Sequence, residues 1–570
     1  GIGTFIKASS EDNNDVGDRY NDLIRINANE LSARVIGEGG NLGLTQLARI
    51  EFALNGGCIN TDFIDNSGGV DCSDREVNLK ILLNGIVENG DLTIKQRNAM
   101  LREMEAEIAD FVLRNNYSQS QSISIAAHQA QINFDLHNRF TEYLEEQGEL
   151  DRELEFLPTI AELNDRKTQH KGLTRPEIAV LLAYCKNYIK KKLLNSDVPE
   201  DPYLSNVLVF AFPDKIRKQY RQQMESHRLR REIISTLVSN YIVNEMGFTF
   251  AYQLENETGA TVAEVIRAYS ITRNIFELSD IWQQIESFDC LIAADIQIEM
   301  MQLVARLVWR STRWFLRHRR FQTDIENSCE HFKAGINTLH RNIKDWLAGV
   351  SQERFNRTRA HLIESGVAEE LAEKVATKQA LISALDIVDA TFEYQFELEE
   401  VARTYFKLSE VLELGWFREQ LYAQNVDNQW EALAREACRD DLDWQQKGLT
   451  IAVLKQGQRK QSITERITNW LDTNQHLLVR WQAMLAKLKS QTSHNYVMFT
   501  VGLRELMDLT QSALQSAGQE DIMLVANRID PKFSGVTPKL ESAVKISKLK
   551  DKSELIANNK QKKTQKAKEK

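Results

Sequence analysis

No proline occurs between Pro213 and Pro531, a gap of 317 residues in which average usage of about 5% would place about sixteen. A proline inside a helix costs about 3 kcal/mol, so this absence predicts a large all-helical region. Cysteine is scarce as well. Cys58, Cys72, Cys185, Cys290, Cys329 and Cys438 lie far apart and form no Cys-x-x-Cys pair, which argues against a structural zinc site and for a reducing compartment. The longest unbroken apolar run, Ile178 to Cys185, is eight residues against the ~18 needed to cross a bilayer, so no membrane-spanning helix is expected. The first residues, Gly1-Ile-Gly-Thr-Phe-Ile-Lys7, lack a basic segment followed by an apolar one, so no secretory signal is expected either and the predicted location is cytoplasmic. The chain does not begin with Met, which leads us to expect a piece of a longer polypeptide.

A basic body is also missing. The net charge is −10, yet Lys545 to Lys570 holds ten lysines against three acids, so the other 544 residues carry −17. An acidic body discourages nucleic-acid binding, which rests on neutralising phosphates with Lys and Arg. The basic tail is almost free of aromatic residues and is expected to be disordered and solvated. What remains, 42% apolar and 27% charged, is the composition of an ordinary globular protein. At roughly 100–200 residues per domain, 570 residues predict three or four domains, or two with one large.

Half of the 26 glycines fall within the first 90 residues, and that part reads differently from the rest. Arg34-Val35-Ile36-Gly37 reads as a short buried strand, followed by the glycine-rich turn Glu38-Gly39-Gly40-Asn41-Leu42-Gly43. A helical stretch runs from Leu44 to about Leu54, and Gly56-Gly57 stops it. A second strand is expected from Cys58 to Ile64, then a second turn over Asp65-Asn66-Ser67-Gly68-Gly69-Val70, then a helix from Asp74 to about Val87. Strand–turn–helix twice over is the rhythm of a parallel α/β sheet, in which ligands gather at the carboxyl ends of the strands. The segment is too short for a whole doubly wound domain and reads as the end of one. Farther on, helical spacing recurs in Ile463, Ile467, Trp470 and Leu471, and in Leu477, Trp481, Met484, Leu485 and Leu488. Capping boxes are expected at Ser462–Glu465 and Thr174–Glu177, the latter with Leu173 and Ile178 as a hydrophobic staple. No fixed-period repeat is present, so a solenoid is not expected. The resulting domains are 1–92, the end of an α/β sheet domain; 93–530, helical; and 531–570, the basic tail.

The run Gly37 to Gly43 fails the Gly-x-Gly-x-x-Gly fingerprint by one residue, so it is not assigned as a pyrophosphate loop. Both turns nevertheless offer small residues beside amides. Gly39, Gly40, Gly68 and Gly69 would let a ligand approach the backbone, and Asn41 and Asn66 supply paired donors and acceptors. Asn and Gly are equally ordinary turn-makers. Ser73 shares that ambiguity: Ser73-Asp74-Arg75-Glu76 fits a capping box, while an N-cap hydroxyl beside open helix amides also makes a carboxylate receptor. Arg306, Arg310, Arg313, Arg317 and Arg320 form one helical stripe beside Trp309 and Trp314. It could stack nucleotides, but in an acidic body we expect it to pair with acids on adjacent helices or subunits. His128 and His137 are nine apart, unlike a helical zinc pair, and no metal is expected.

The segments Val35-Ile-Gly-Glu-Gly-Gly-Asn-Leu-Gly-Leu-Thr-Gln46 and Ile59-Asn-Thr-Asp-Phe-Ile-Asp-Asn-Ser-Gly-Gly-Val-Asp-Cys-Ser-Asp-Arg-Glu-Val-Asn78 closely resemble the large NAD-specific bacterial glutamate dehydrogenases. Gly1-Ile-Gly-Thr-Phe-Ile-Lys-Ala-Ser9, Gly17-Asp-Arg-Tyr-Asn-Asp22 and Arg313-Trp314-Phe315-Leu316-Arg317 are similar to other parts of that family. Against the wider amino-acid dehydrogenase patterns Glu-Gly-Ala-Asn-x-Pro-Thr-Thr and Asn-Ala-Gly-Gly-Val-x-x-Ser, Glu38, Gly39, Asn41 and Thr45 match the first. Gly40, Gly43 and Leu44 depart from it, in the manner of the large subclass. Asn66, Gly68, Gly69, Val70 and Ser73 match the second, with Ser67 in place of Ala.

The resemblance implies a Rossmann-like α/β segment followed by a large all-α region, NAD as cofactor, L-glutamate and 2-oxoglutarate as substrates, and a homo-oligomer. It puts Gly39, Gly40, Asn41 and Asn66 at the cofactor, and Asn66, Val70 and Ser73 at the substrate, Val70 and Ser73 lining the pocket for its side-chain carboxylate. The family's catalytic lysine and aspartate, its substrate lysines and its cofactor glycine loop are expected upstream. No catalytic residue is therefore assigned within these 570 residues, Lys7 included, and the chain alone is expected to be inactive. Two alternatives stand beside this reading. One is a dehydrogenase of another amino acid, which Ser73 disfavours because an aliphatic side chain needs no carboxylate receptor. The other is a non-catalytic helical scaffold or regulatory module.

Overall fold

The computed structural model describes residues 3–320, 324–424, 426, 428–457 and 461–518. The basic tail expected at 531–570 lies outside the described residues. Four short strands open the chain. β1 (Ile6–Lys7) pairs in parallel with β2 (Ile26–Asn27), and β3 (Val35–Ile36) with β4 (Cys58–Ile59). A further parallel bridge joins Ile6 to Leu44. Ala28, Leu44, Ala48, Phe52 and Ile59 close a small core beneath them. From Asp62 onward every described element is helical.

The parallel rhythm is present, but its elements are shorter and shifted. Val35 is 71% exposed, so β3 is not the buried strand expected over 34–37. The strand expected to run from Cys58 to Ile64 ends at Ile59, because Thr61 turns the chain into a helical turn, Asp62–Asp65. The largest shift follows. Ser67-Gly68-Gly69-Val70 is not a turn before a helix at Asp74; it is the first turn of one helix running Ser67–Glu88, with Asn66 at its N-cap position. Ser73 therefore sits inside that helix and caps nothing. The helix expected from Leu44 to about Leu54 fares better: Thr45 Oγ1 accepts from the Ala48 amide at 3.1 Å and starts Gln46–Leu54.

The Ser67–Glu88 helix turns Leu79, Leu82, Leu83 and Ile86 into the same continuous core that ends at Leu514. Both expected capping boxes are present. Glu177, fully buried, accepts from the Thr174 amide at 2.7 Å and from Arg166 at 2.8 Å, while Leu173 and Ile178 enter the core beside it. The Ser462–Glu465 box starts Ile463–Thr473. Helix Gln429–Gln456 packs on Tyr496–Ser516 at Gly448, where an added Cβ would lie 2.8 Å from Thr510 Cγ2.

Four of the five stripe arginines find acids on other helices. Arg310 pairs with Asp443, Arg313 with Glu257 and Asp440, Arg317 with Asp440, and Arg320 with Glu264. Arg306 has no acidic partner among the described residues. His137 is 2% exposed and packs against Phe248 with its ring tilted by 42°, ring centroids 4.8 Å apart.

Burial holds the His137 imidazole down to about 4 from its ordinary 6.5. Between those values the unfolded chain binds the proton and the folded chain does not, so folding should weaken as the pH falls from 6.5 toward 4. At about 1.4 kcal/mol per pH unit this one group is worth about 3 kcal/mol. In urea titrations across that range, His137→Phe should lose about that much less stability than the parent chain. Equal acid sensitivity of the two would refute a neutral buried His137.

Candidate functional site

The glycine segment after β3 is held in place from the helical turn Asp62–Asp65 that follows β4. The Glu38 amide donates to Asp65 Oδ2 at 3.1 Å, and the Leu42 amide to Asp62 Oδ2 at 2.9 Å. Leu42 takes a left-handed φ of 65°, a conformation that costs a branched side chain energy and is here fixed by that bond. The Glu38 carboxylate turns inward, where it is 5% exposed, and receives Arg49 in a two-point pair at 2.6 and 3.0 Å. Arg49 also reaches Asp62 at 3.1 Å. Two acids and one arginine thus satisfy a loop that makes few backbone bonds of its own.

Across this loop, Asn66 Nδ2 donates to Asn41 Oδ1 at 2.9 Å. The two asparagines singled out in the sequence, 25 positions apart, are therefore in contact. Asn66, Val70 and Ser73 follow at spacings of four and three, so they form one stripe on the Ser67–Glu88 helix, with Asn41 at its head. Val70 is 65% exposed and Ser73 is exposed, as are Gly39, Gly40 and Asn41. The glycines divide by what surrounds them. A Cβ on Gly39 would meet nothing within 4 Å, whereas one on Gly68 would press on Val112 Cγ1 and one on Gly69 on Asn66 Oδ1, each at 3.3 Å. Gly68 and Gly69 thus let the first helical turn sit close to helix Glu105–His128 and let the Asn66 side chain fold over it.

That helical turn is tied to the body by residues the sequence reading passed over. Asn116 Nδ2 donates to the carbonyls of Ile64 and Asp65 at 2.8 and 3.3 Å and to Ser67 Oγ at 3.0 Å. Arg175, at the start of helix Arg175–Leu194, gives two bonds to Asn60 Oδ1 at 3.1 and 2.9 Å and one to Ser124 Oγ at 3.0 Å. Asn60 passes the contact on to Asp65 at 2.8 Å. The only signal for this relay was the run of Asn and Asp at 60, 62, 65 and 66; its partners lie 49 to 115 residues away.

Lys7 is occupied. Its ammonium donates to Glu11 O at 2.5 Å, Asn27 Oδ1 at 2.6 Å and Ala8 O at 3.3 Å, which uses all three donors on neutral acceptors. Among the described residues no group of three or more His, Cys, Asp or Glu could hold a metal ion. The six cysteines are all free, and no described helix is long and apolar enough to cross a membrane.

The family model described as bacterial NAD-glutamate dehydrogenase, catalytic domain, matches residues 1–126, and that described as glutamate dehydrogenase, C-terminal, matches residues 170–508. The NAD-specific glutamate dehydrogenase of Pseudomonas aeruginosa is 45% identical over 513 residues, which is 90% of this chain and 32% of that protein. Proteins of the same name from Halomonas elongata and Mycobacterium tuberculosis are 41% and 34% identical, over the same shares of each chain. The chain spans about a third of the length of the curated relatives it matches.

If Asn116 fixes the start of the Ser67–Glu88 helix, Asn116→Ala should speed amide exchange of residues 64–70 at least tenfold while leaving Gln429–Gln456 protected. Three bonds are lost and two carbonyls left short, so a stability cost of about 1–3 kcal/mol should accompany it. Unchanged exchange at 64–70 would show that the turn is held by something else.

Proposed function

We propose, from the premise that this chain belongs to the bacterial NAD-specific glutamate dehydrogenase family, that it supplies the end of the catalytic domain and the helical C-terminal region of an enzyme interconverting L-glutamate with 2-oxoglutarate and ammonia. The observation that carries the reading is the Asn66–Asn41 hydrogen bond, with Val70 and Ser73 continuing from it along one helical stripe. NAD, when bound, supplies the hydride acceptor. The donor set at the head of the stripe suits it. The bond between the asparagines uses one Asn66 N–H and one Asn41 lone pair, which leaves the Asn41 amide group and the Asn66 carbonyl oxygen for a ribose or carboxamide.

Gly39 leaves room for the approach, and Gly40 and Asn41 lie beside it on the same exposed loop. Farther down the stripe the Ser73 hydroxyl donates to the substrate's side-chain carboxylate, and Val70 covers the methylene chain. The proton-moving lysine and acid are assigned outside these residues. Lys7 spends its donors on neutral oxygens, and the carboxylates around the loop are tied to Arg49 and to backbone amides. The active species is a cytoplasmic homo-oligomer. The free cysteines support a reducing location.

Two measurements test this. In the assembled full-length enzyme, Ser73→Ala should raise the Michaelis constant for glutamate at least tenfold, since one hydrogen bond to a charged group is worth about 1.5–3 kcal/mol. NAD affinity should not move. Unchanged glutamate kinetics would remove Ser73 from the substrate site. The 570-residue chain alone, given saturating glutamate and NAD, should show no rise at the reduced-nicotinamide absorbance. A binding surface without groups that act in the transition state does not raise turnover. Robust turnover would place a lysine and acid within this chain.

A further inference from the structure

The helical body contains a half-open cavity of about 1090 Å³, somewhat larger than the range of about 300–1,000 Å³ typical of small-molecule sites. None of Asn41, Asn66, Val70 or Ser73 lines it. Its walls come from helices as far apart as Phe134–Glu146 and Gln429–Gln456, and the arginine stripe enters it through Arg306, Trp309 and Arg310.

The charge of this cavity opposes that of the protein. Among the described residues, eight arginines and no lysine line it, against six acids. Three of those acids are already neutralised by cations outside the lining: Asp135 by Lys167, Glu245 by Arg273, and Glu257 by Arg313. The floor is built from the remainder. Arg310 and Arg418 share Asp443, Arg310 also donates to the Tyr422 hydroxyl at 2.6 Å, and Arg439 pairs with Glu436 while lying over the Tyr422 ring at 4.5 Å. Three guanidiniums thus meet two carboxylates. Burial works to raise the Tyr422 hydroxyl, yet Arg310 and Arg439 outweigh it and hold it below a tyrosine's ordinary value.

Elsewhere on the lining, Arg306 and Arg357 are exposed and have no carboxylate partner among the described residues. Two further donors are unused. Arg439, 5% exposed, keeps a buried Nε–H with no acceptor among the described residues, and the Trp309 ring N–H is in the same position. Buried N–H groups without acceptors are uncommon, and guanidiniums in place of ammoniums suit two-point recognition of planar oxyanions. A positive, low-dielectric cleft in a protein of net charge −10 also concentrates anions from solution.

We infer that this cavity is a binding site for a small organic anion bearing two or more carboxylate or phosphate groups, held by Arg306 and Arg357 over the Arg310–Arg418–Arg439 floor. The inference stands on the helical body alone and does not depend on the dehydrogenase reading. A ligand there would bridge helices distant in sequence and should raise the melting temperature of the chain.

The test is calorimetric titration of the 570-residue chain with tricarballylate and, separately, with pyrophosphate, at ionic strength matched with chloride. At least one probe should bind at a single saturable site with a Kd of about 1 mM or tighter. Tricarballylate alone would assign a carboxylate ligand, and pyrophosphate alone a phosphate ligand. Arg306→Ala/Arg357→Ala should weaken binding at least tenfold, and lysine at both positions should recover part of it. Both side chains are exposed and unpaired among the described residues, so the variants should keep the parent's helical circular dichroism. Arg102→Ala, exposed and outside the cavity, serves as the control and should change nothing. Absence of saturable binding for both probes would overturn the inference. So would equal weakening by Arg102→Ala, which would mean general charge screening.

Discussion

Asp65 is placed where two demands meet. One of its oxygens receives the Glu38 amide of the glycine segment, the other receives Asn60, and through Asn60 it is joined to Arg175 at the start of a core helix. Its own carbonyl is one of the two that Asn116 satisfies. A half-buried carboxylate in such a position is costly to leave half-bonded, because a polar group withdrawn from water without partners loses more than a typical hydrogen bond returns. The glycine segment, the start of the Ser67–Glu88 helix and the helical body are therefore fixed together or not at all. The Asn66–Asn41 contact is a consequence of this junction. Both asparagines are carried on segments whose backbone positions are set by Asp62, Asp65 and Asn116.

The junction also ties the small β portion to the helical portion. The strands share a core of only five residues, too little apolar area to hold a fold alone. The helix that carries the proposed substrate residues gives its far end, Leu79 to Ile86, to the large core. Its exposed face presents Val70 and Ser73 while its buried face is anchored, so the site stripe is held on a rigid element.

Within the helical body, the arginine stripe shows a different economy of charge. Arg310, Arg313 and Arg439 are almost fully buried, and each would be costly without a carboxylate. Glu436, Asp440 and Asp443, all on helix Gln429–Gln456, and Glu257, on helix Phe250–Thr258, supply these. Such pairs contribute little net stability over well-packed apolar residues, but each must find its own partner, which specifies one arrangement of helices. Where acids run short, at Arg306 and Arg357, the surplus positive charge faces the cavity.

Much of this was legible in one dimension. The missing prolines and the Thr174 and Ser462 capping boxes indicated helices that are present, because caps and proline costs act within a few residues of the chain. The pairing of the arginine stripe with acids followed from net charge and helical spacing. The motif residues Asn41 and Asn66 were recognisable by type. Their contact was not, nor was the true start of the helix at Ser67. Two glycines in succession read as a turn, since isolated glycine favours one. In the folded chain Val112 and the Asn66 side chain need the space those glycines leave, and Asn116 satisfies the carbonyls just before them, so the segment is helical. The strands shortened for the same kind of reason: Thr61 and Asp62 turn toward the glycine loop instead of continuing β4. The sequence by itself thus determined the helical class, the local caps and the kinds of residue available for chemistry. Only the tertiary structure decided which of them meet, because Asn116, Arg175 and the acids opposite the arginine stripe act across separations that no local pattern encodes.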